Sequence, residues 1–162
     1  MGVAGSGKTT IGQLLSAKTG YAYFDADDFH PQQNKDKMQA GVPLNDEDRQ
    51  PWLHHIHSFV LNETLTHPVI FGCSALKENY RTQLSEGIKE QCHWIFLNGD
   101  FNIIAERLGK RTGHYMAPSL LQSQFDALEK PPHVIEPDIR QSPENIVDFI
   151  MKKLKLTCSN LD

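Results

Sequence analysis

The residues best suited to chemistry come first in the chain. Gly2-Val3-Ala4-Gly5-Ser6-Gly7-Lys8-Thr9 fits the spacing G-x-x-x-x-G-K-[ST] at every fixed position. Glycines let such a loop turn tightly, so that its backbone N–H groups converge on an anion. A helix starting where the loop ends aims the positive end of its dipole at the same point. Lys8 can reach the β- and γ-phosphates of a nucleotide, and the Thr9 hydroxyl can hold Mg2+. Gly2 through Thr9, with Thr10 in the following turn, are therefore the candidate nucleotide-binding residues. The loop alone does not separate motors, GTPases and small-molecule kinases. Asn34-Lys35-Asp36-Lys37 approaches the guanine-reading N-K-x-D, but its acid stands one position early and inside an expected helix.

Three further groups of polar residues could work with the loop. Asp25, Asp27 and Asp28 fall just beyond the carboxyl end of an expected strand, the crevice in which open α/β sheets bind ligands. A carboxylate there could position metal-bound water, or orient or deprotonate an acceptor hydroxyl; the plain alternative is an acidic loop that solvates the strand end. Arg107 and Arg111 are four apart and share one helix face, with Lys110 and His114 nearby. On a mobile helical lid they would neutralise charge on transferring phosphoryl oxygens. Spacing alone favours an ordinary solvated basic face. Arg49, together with Lys77 and Arg81 on a second shared face, could meet an anionic substrate, and His30 follows the acids directly. The cluster His54-His55-Ile56-His57 flanks core-facing Leu53 and Ile56 without a matching Cys or carboxylate set, so it does not read as a zinc site.

Positioning these groups requires alternating strands and helices. Ile11, Leu14, Leu15 and Lys18 follow helical spacing up to Gly20, and Tyr21 to Asp25 reads as a short strand. Pro31 opens a helix that runs to about Ala40, and Asn45 caps another that carries Trp52, Ile56, Phe59 and Val60 on one side. Val69-Ile70-Phe71-Gly72-Cys73 has the continuous apolar character of a strand buried on both faces. Helices are expected over 77–86, after Asp100, over 118–129 and from Ser142-Pro143. Strands are expected over 93–97 and, weakly, 134–139, where Pro137 suggests an edge or an early end. The pattern implies a parallel sheet with right-handed crossovers. One strand is missing from this series, because a phosphate loop joins a buried strand to a helix and only Met1 precedes the loop.

Composition bounds the rest. The chain has 162 residues, enough for one domain with a real core, and a net charge of −4, so it carries no broad cationic field for nucleic acid or anionic membrane. Cys73, Cys92 and Cys158 are too few and scattered for a disulfide framework. No apolar run approaches the roughly 18 residues of a membrane span. A cytoplasmic α/β domain is expected, with residues 1–155 as the domain, a lid over roughly 107–125 and a tail at 156–162.

Taken together, the motifs resemble the gluconate kinases, relatives of shikimate kinase and the nucleoside monophosphate kinases. The resemblance runs from Gly2 to about Leu154. It is carried by the loop, then Asp25-Ala26-Asp27-Asp28-Phe29-His30-Pro31, Gly41-Val42-Pro43-Leu44-Asn45-Asp46-Glu47-Asp48-Arg49 and Cys73-Ser74-Ala75-Leu76-Lys77 with Tyr80-Arg81. Arg107-Leu108, Arg111-Thr112-Gly113-His114 and Leu121-Gln122-Ser123-Gln124-Phe125 complete it. The resemblance implies a P-loop kinase fold, a parallel sheet flanked by helices with a helical lid, and ATP- and Mg2+-dependent phosphorylation of D-gluconate at its 6-hydroxyl. It implies Lys8, Asp27, Arg107 and Arg111 as catalytic residues, Thr9 and Asp25 toward Mg2+, and Asp27, His30, Arg49, Lys77 and Arg81 toward the substrate. It also implies a homodimer. The family carries an apolar strand before the loop, so the first strand is expected to be truncated here and the native chain to begin upstream of Met1. A kinase for another small acid such as shikimate, or a non-catalytic nucleotide-binding remnant, is the competing expectation.

Overall fold

The computed structural model describes residues 1–110 and 118–158. Helix α1 (Lys8–Thr19) leads into strand β1 (Ala22–Asp25), and a single 3-10 turn (Ala26–Phe29) follows. Helices α2 (Gln32–Gln39) and α3 (Asp46–Thr64) precede strand β2 (Val69–Gly72), and α4 (Glu78–Leu84), α5 (Phe101–Gly109), α6 (Pro118–Asp126) and α7 (Pro143–Leu154) complete the order. The local signals act where expected. Gly20 terminates α1 in the left-handed region at φ 75°, a conformation that costs glycine little. Asn45 and Asp48 form a reciprocal capping box at the start of α3, and Ser142 caps α7 ahead of Pro143.

β1 and β2 pair in parallel, Ala22 opposite Val69 through Asp25 opposite Gly72. This register sets the carboxyl ends of both strands, and the turns that follow them, along one edge of the molecule. Helices cover both faces. One apolar cluster gathers Ile11 and Leu15 of α1, Ile104 of α5 and Val147 and Ile150 of α7; the other gathers Trp52, Leu53 and Ile56 of α3 with Tyr80 and Leu84 of α4. Phe96 belongs to one cluster and Leu97 to the other, the alternation of an extended segment lying between two layers.

The strands expected at 93–97 and 134–139 are a correction. Among the described residues they form one isolated parallel bridge, Ile95 to Ile135. A ladder needs backbone partners along its length, and Ile95 finds only two. One is Ile135. The other is Met1, whose amino group donates to the Ile95 carbonyl at 2.5 Å and whose carbonyl accepts from Leu97 N–H at 2.9 Å. Gly2 N–H donates to the Ser74 carbonyl at 3.2 Å, so the entry to the loop is held from both sides. Between β2 and the 93–97 segment lies a cavity of about 410 Å³, whose lining includes Ile70, Phe71, Ile95 and Leu97. The lining is mostly apolar and includes Lys8 and Tyr23 among its few polar side chains.

Candidate active site

The loop from Gly2 to Gly7 bends through left-handed conformations at Gly2, Gly5 and Gly7. At Gly5, a side chain would be both strained, at φ 79°, and blocked, since a Cβ would sit 2.7 Å from Leu108 of α5. Lys8 folds back over the loop and donates to the carbonyls of Gly2 at 3.1 Å and Val3 at 3.0 Å. These bonds hold its ammonium against the start of the loop. Ala4 N–H donates to Gln124 Oε1 of α6 at 2.7 Å. Ser6 is buried, and its hydroxyl has no hydrogen-bond partner among the described residues.

The end of β1 meets the start of α1. Thr9 Oγ1 donates to Asp25 Oδ2 at 3.1 Å, and Tyr23 Oη donates to the same oxygen at 2.9 Å. The other carboxylate oxygen accepts from Asp27 N–H at 3.1 Å and caps the 3-10 turn. Burial raises the Tyr23 pKa and keeps its hydroxyl a donor. Desolvation raises the Asp27 pKa although the residue keeps an exposed side, and the neighbouring Asp25 charge adds to the effect while Lys8 opposes it. A carboxyl tuned upward beside a lysine is suited to hold or take a hydroxyl proton.

Thr9 and Asp25 present two hard oxygen donors side by side. Among the described residues there is no group of three or more His, Cys, Asp or Glu that could cage a metal ion. This arrangement fits Mg2+, which takes one or two protein oxygens and completes its shell with water and substrate phosphates.

At the start of α3, Lys77 Nζ donates to both Asp46 carboxylate oxygens, at 2.8 and 2.9 Å, and Tyr80 Oη donates to Asp46 as well. These bonds hold the Asp46 carboxyl below the usual carboxylate range and raise the Lys77 pKa. The Arg49 guanidinium stands 5.7 Å from the Tyr80 ring centre and Lys77 Nζ 5.6 Å from it, so two cations share one ring. Arg49 also donates to the Leu44 and Asn45 carbonyls. His30 is buried and stacks on Trp52 at 4.4 Å, and desolvation, helped by the Arg49 charge, pulls its pKa down to about 4.

Two arginines fall differently from the expectation. Arg81 is buried, and its Nη1 donates to the carbonyls of Ala75 and Leu76, both at 2.9 Å. It braces the turn that carries Lys77. Arg107 Nη2 donates to the Ile139 carbonyl at 2.6 Å, which ties α5 to the segment before α7. Arg111 and His114 lie outside the described residues, as do residues 112–117 of the expected lid.

The sequence pattern of the shikimate kinase family matches residues 4–154, a span that holds nearly all of these groups. The probable gluconokinase of Mus musculus is 42% identical, over 96% of this chain and 95% of its own length. That of Dictyostelium discoideum is 43% identical, over 96% and 84%. The chain belongs to the gluconokinases of the shikimate kinase family. A gluconokinase crystal structure from Sinorhizobium meliloti 1021 superposes with a TM-score of 0.87 at 39% identity, covering 96% of this chain and 89% of that one. Membership makes the chain a P-loop kinase, a phosphotransferase with an alcohol acceptor that uses a nucleotide.

Seen as a gluconokinase, the chain holds site groups that residue types alone did not single out. Tyr23 was readable only as strand content, although its i,i+2 relation to Asp25 puts both on one strand face. Asp46 was readable as a helix-start acid, and its place opposite Lys77, 31 residues away, depends on the tertiary fold. Gln124 is quoted within the family motif, but its bond to the loop spans 120 residues.

Proposed function

We propose that this chain transfers the γ-phosphoryl group of ATP to the 6-hydroxyl of D-gluconate, giving ADP and 6-phosphogluconate. Gly2 through Thr10 cradle the triphosphate with backbone N–H groups and the α1 dipole, and Lys8 reaches its β- and γ-oxygens. Thr9 and Asp25 hold Mg2+, which when bound neutralises charge on the triphosphate. Asp27 orients the acceptor hydroxyl and takes its proton as the oxygen bonds to phosphorus and the β–γ bridging bond breaks toward ADP. Arg107 and Arg111 offset charge on the transferring oxygens. Lys77 and Arg49, with Arg81 bracing and His30 beside them, face the sugar-acid carboxylate and hydroxyls.

The observation that carries this reading is the convergence of Thr9, Asp25, Asp27 and Lys8 at the end of β1, together with the cationic pair that Arg49 and Lys77 form on Tyr80. A cytoplasmic homodimer goes with the reading through the family resemblance. No helix among the described residues is long and apolar enough to cross a membrane. ADP release, measured over a panel of gluconate, other aldonic acids, polyols and shikimate, tests it. Preference for gluconate supports it, and equal or better turnover of shikimate overturns it.

A further inference from the structure

The Tyr23 side chain lies in a slot that the chain keeps open with two glycines. A Cβ at Gly12 of α1 would lie 2.2 Å from Tyr23 Cε2, and a Cβ at Gly72 of β2 would lie 2.3 Å from Tyr23 Oη. Neither glycine has a positive φ, so the backbone does not demand glycine at either place; the ring does. The slot runs from helix to strand and delivers the hydroxyl to Asp25 Oδ2, the oxygen that also meets Thr9. With Asp27 N–H on Oδ1, all three bonds together fix the rotation of the Asp25 carboxyl group.

We propose that Tyr23 is a positioning residue for the metal site: its hydroxyl, seated by Gly12 and Gly72, fixes the Asp25 carboxylate so that Oδ2 faces Thr9. This rests on the reading of Thr9 and Asp25 as the Mg2+ side of the crevice. Without the Tyr23 bond the carboxylate can turn about its last torsion, and the metal must reorder it on binding. Partners behind a ligand act in this way generally, and their loss weakens metal affinity by about 10–100-fold where the ligand is strongly held. One hydrogen bond to the carboxylate, at a partly buried site and beside two others that remain, stands at the lower end of that range.

The test is Mn2+ binding, followed by electron paramagnetic resonance on the ADP-bound protein, together with the Mg2+ concentration for half-maximal turnover. Tyr23→Phe keeps the ring and removes the hydroxyl. It should weaken Mn2+ binding about tenfold and raise the Mg2+ requirement more than it lowers kcat. Gly72→Ala keeps the hydroxyl and pushes it out of the slot, so it should give the same shift in a folded protein. Asp25→Asn separates the two levels. If Asp25→Asn weakens Mn2+ binding and Tyr23→Phe leaves it at the wild-type value, the role of Tyr23 is overturned. If Asp25→Asn itself leaves Mn2+ binding unchanged, the metal reading fails and takes this inference with it.

Discussion

The Thr9 hydroxyl and the Asp25 carboxylate are 3.1 Å apart although 16 residues separate them in sequence. This contact joins the first turn of the loop helix to the last residue of β1, and it makes one crevice out of two motifs. Asp25→Asn should therefore affect nucleotide chemistry and not gluconate recognition. The expected outcome is a lower kcat and a higher Mg2+ requirement with the gluconate KM nearly unchanged, as read from initial rates at varied Mg2+.

Asp27 should show opposite effects on activity and stability. A general base contributes about 10²–10⁴-fold, so Asp27→Asn should lower kcat by that order while the KM for ATP stays close to wild type. Its pKa is raised in the fold, so the unfolded chain gives up this proton more readily, and near neutral pH its partly desolvated charge beside Asp25 opposes folding. Thermal unfolding at pH 7 should accordingly give a higher Tm for Asp27→Asn than for wild type.

His30 gives a pH dependence of its own. Its pKa falls from the usual 6.5 to about 4, chiefly because burial disfavours the charged ring. The unfolded state therefore takes up the proton first on acidification, and the stability linked to the neutral ring is present above pH 6.5 and lost as pH falls toward 4. Denaturation midpoints across that window should fall less steeply for His30→Gln than for wild type.

Gly5→Ala should be costly without touching a charged group. It forces alanine to φ 79° and a Cβ to 2.7 Å from Leu108. Backbone strain of this kind costs about 1–3 kcal/mol, and the crowding against α5 adds to it. Urea unfolding should show the loss, and the KM for ATP should rise because the loop N–H groups no longer converge.

Much of this arrangement was legible in the residues themselves. The loop, the stop at Gly20, the cap at Asn45 and the acids after β1 are local signals, and each acts within a turn or two of its own position. Strands 93–97 and 134–139 were not, because a ladder depends on which backbone lies alongside, and among the described residues Ile95 pairs with Ile135 and Met1 alone. The arginines mark the same limit. Their spacing placed Lys77 with Arg81 on one face, yet whether a guanidinium meets a ligand or its own backbone is decided by depth. Arg81 is 6% exposed and donates to the carbonyls of Ala75 and Leu76, whereas Lys77 reaches out to the Asp46 carboxylate.

The central claim is that the loop and the facing cations bring one phosphoryl donor to one sugar-acid hydroxyl. Phosphorus-31 NMR of the purified chain with ATP, Mg2+ and gluconate tests it most directly. The account predicts growth of ADP resonances together with a phosphomonoester on the terminal carbon of gluconate, and loss of both in Lys8→Ala. ADP accompanied only by inorganic phosphate, or a Lys8→Ala protein that forms the ester at the wild-type rate, would contradict it.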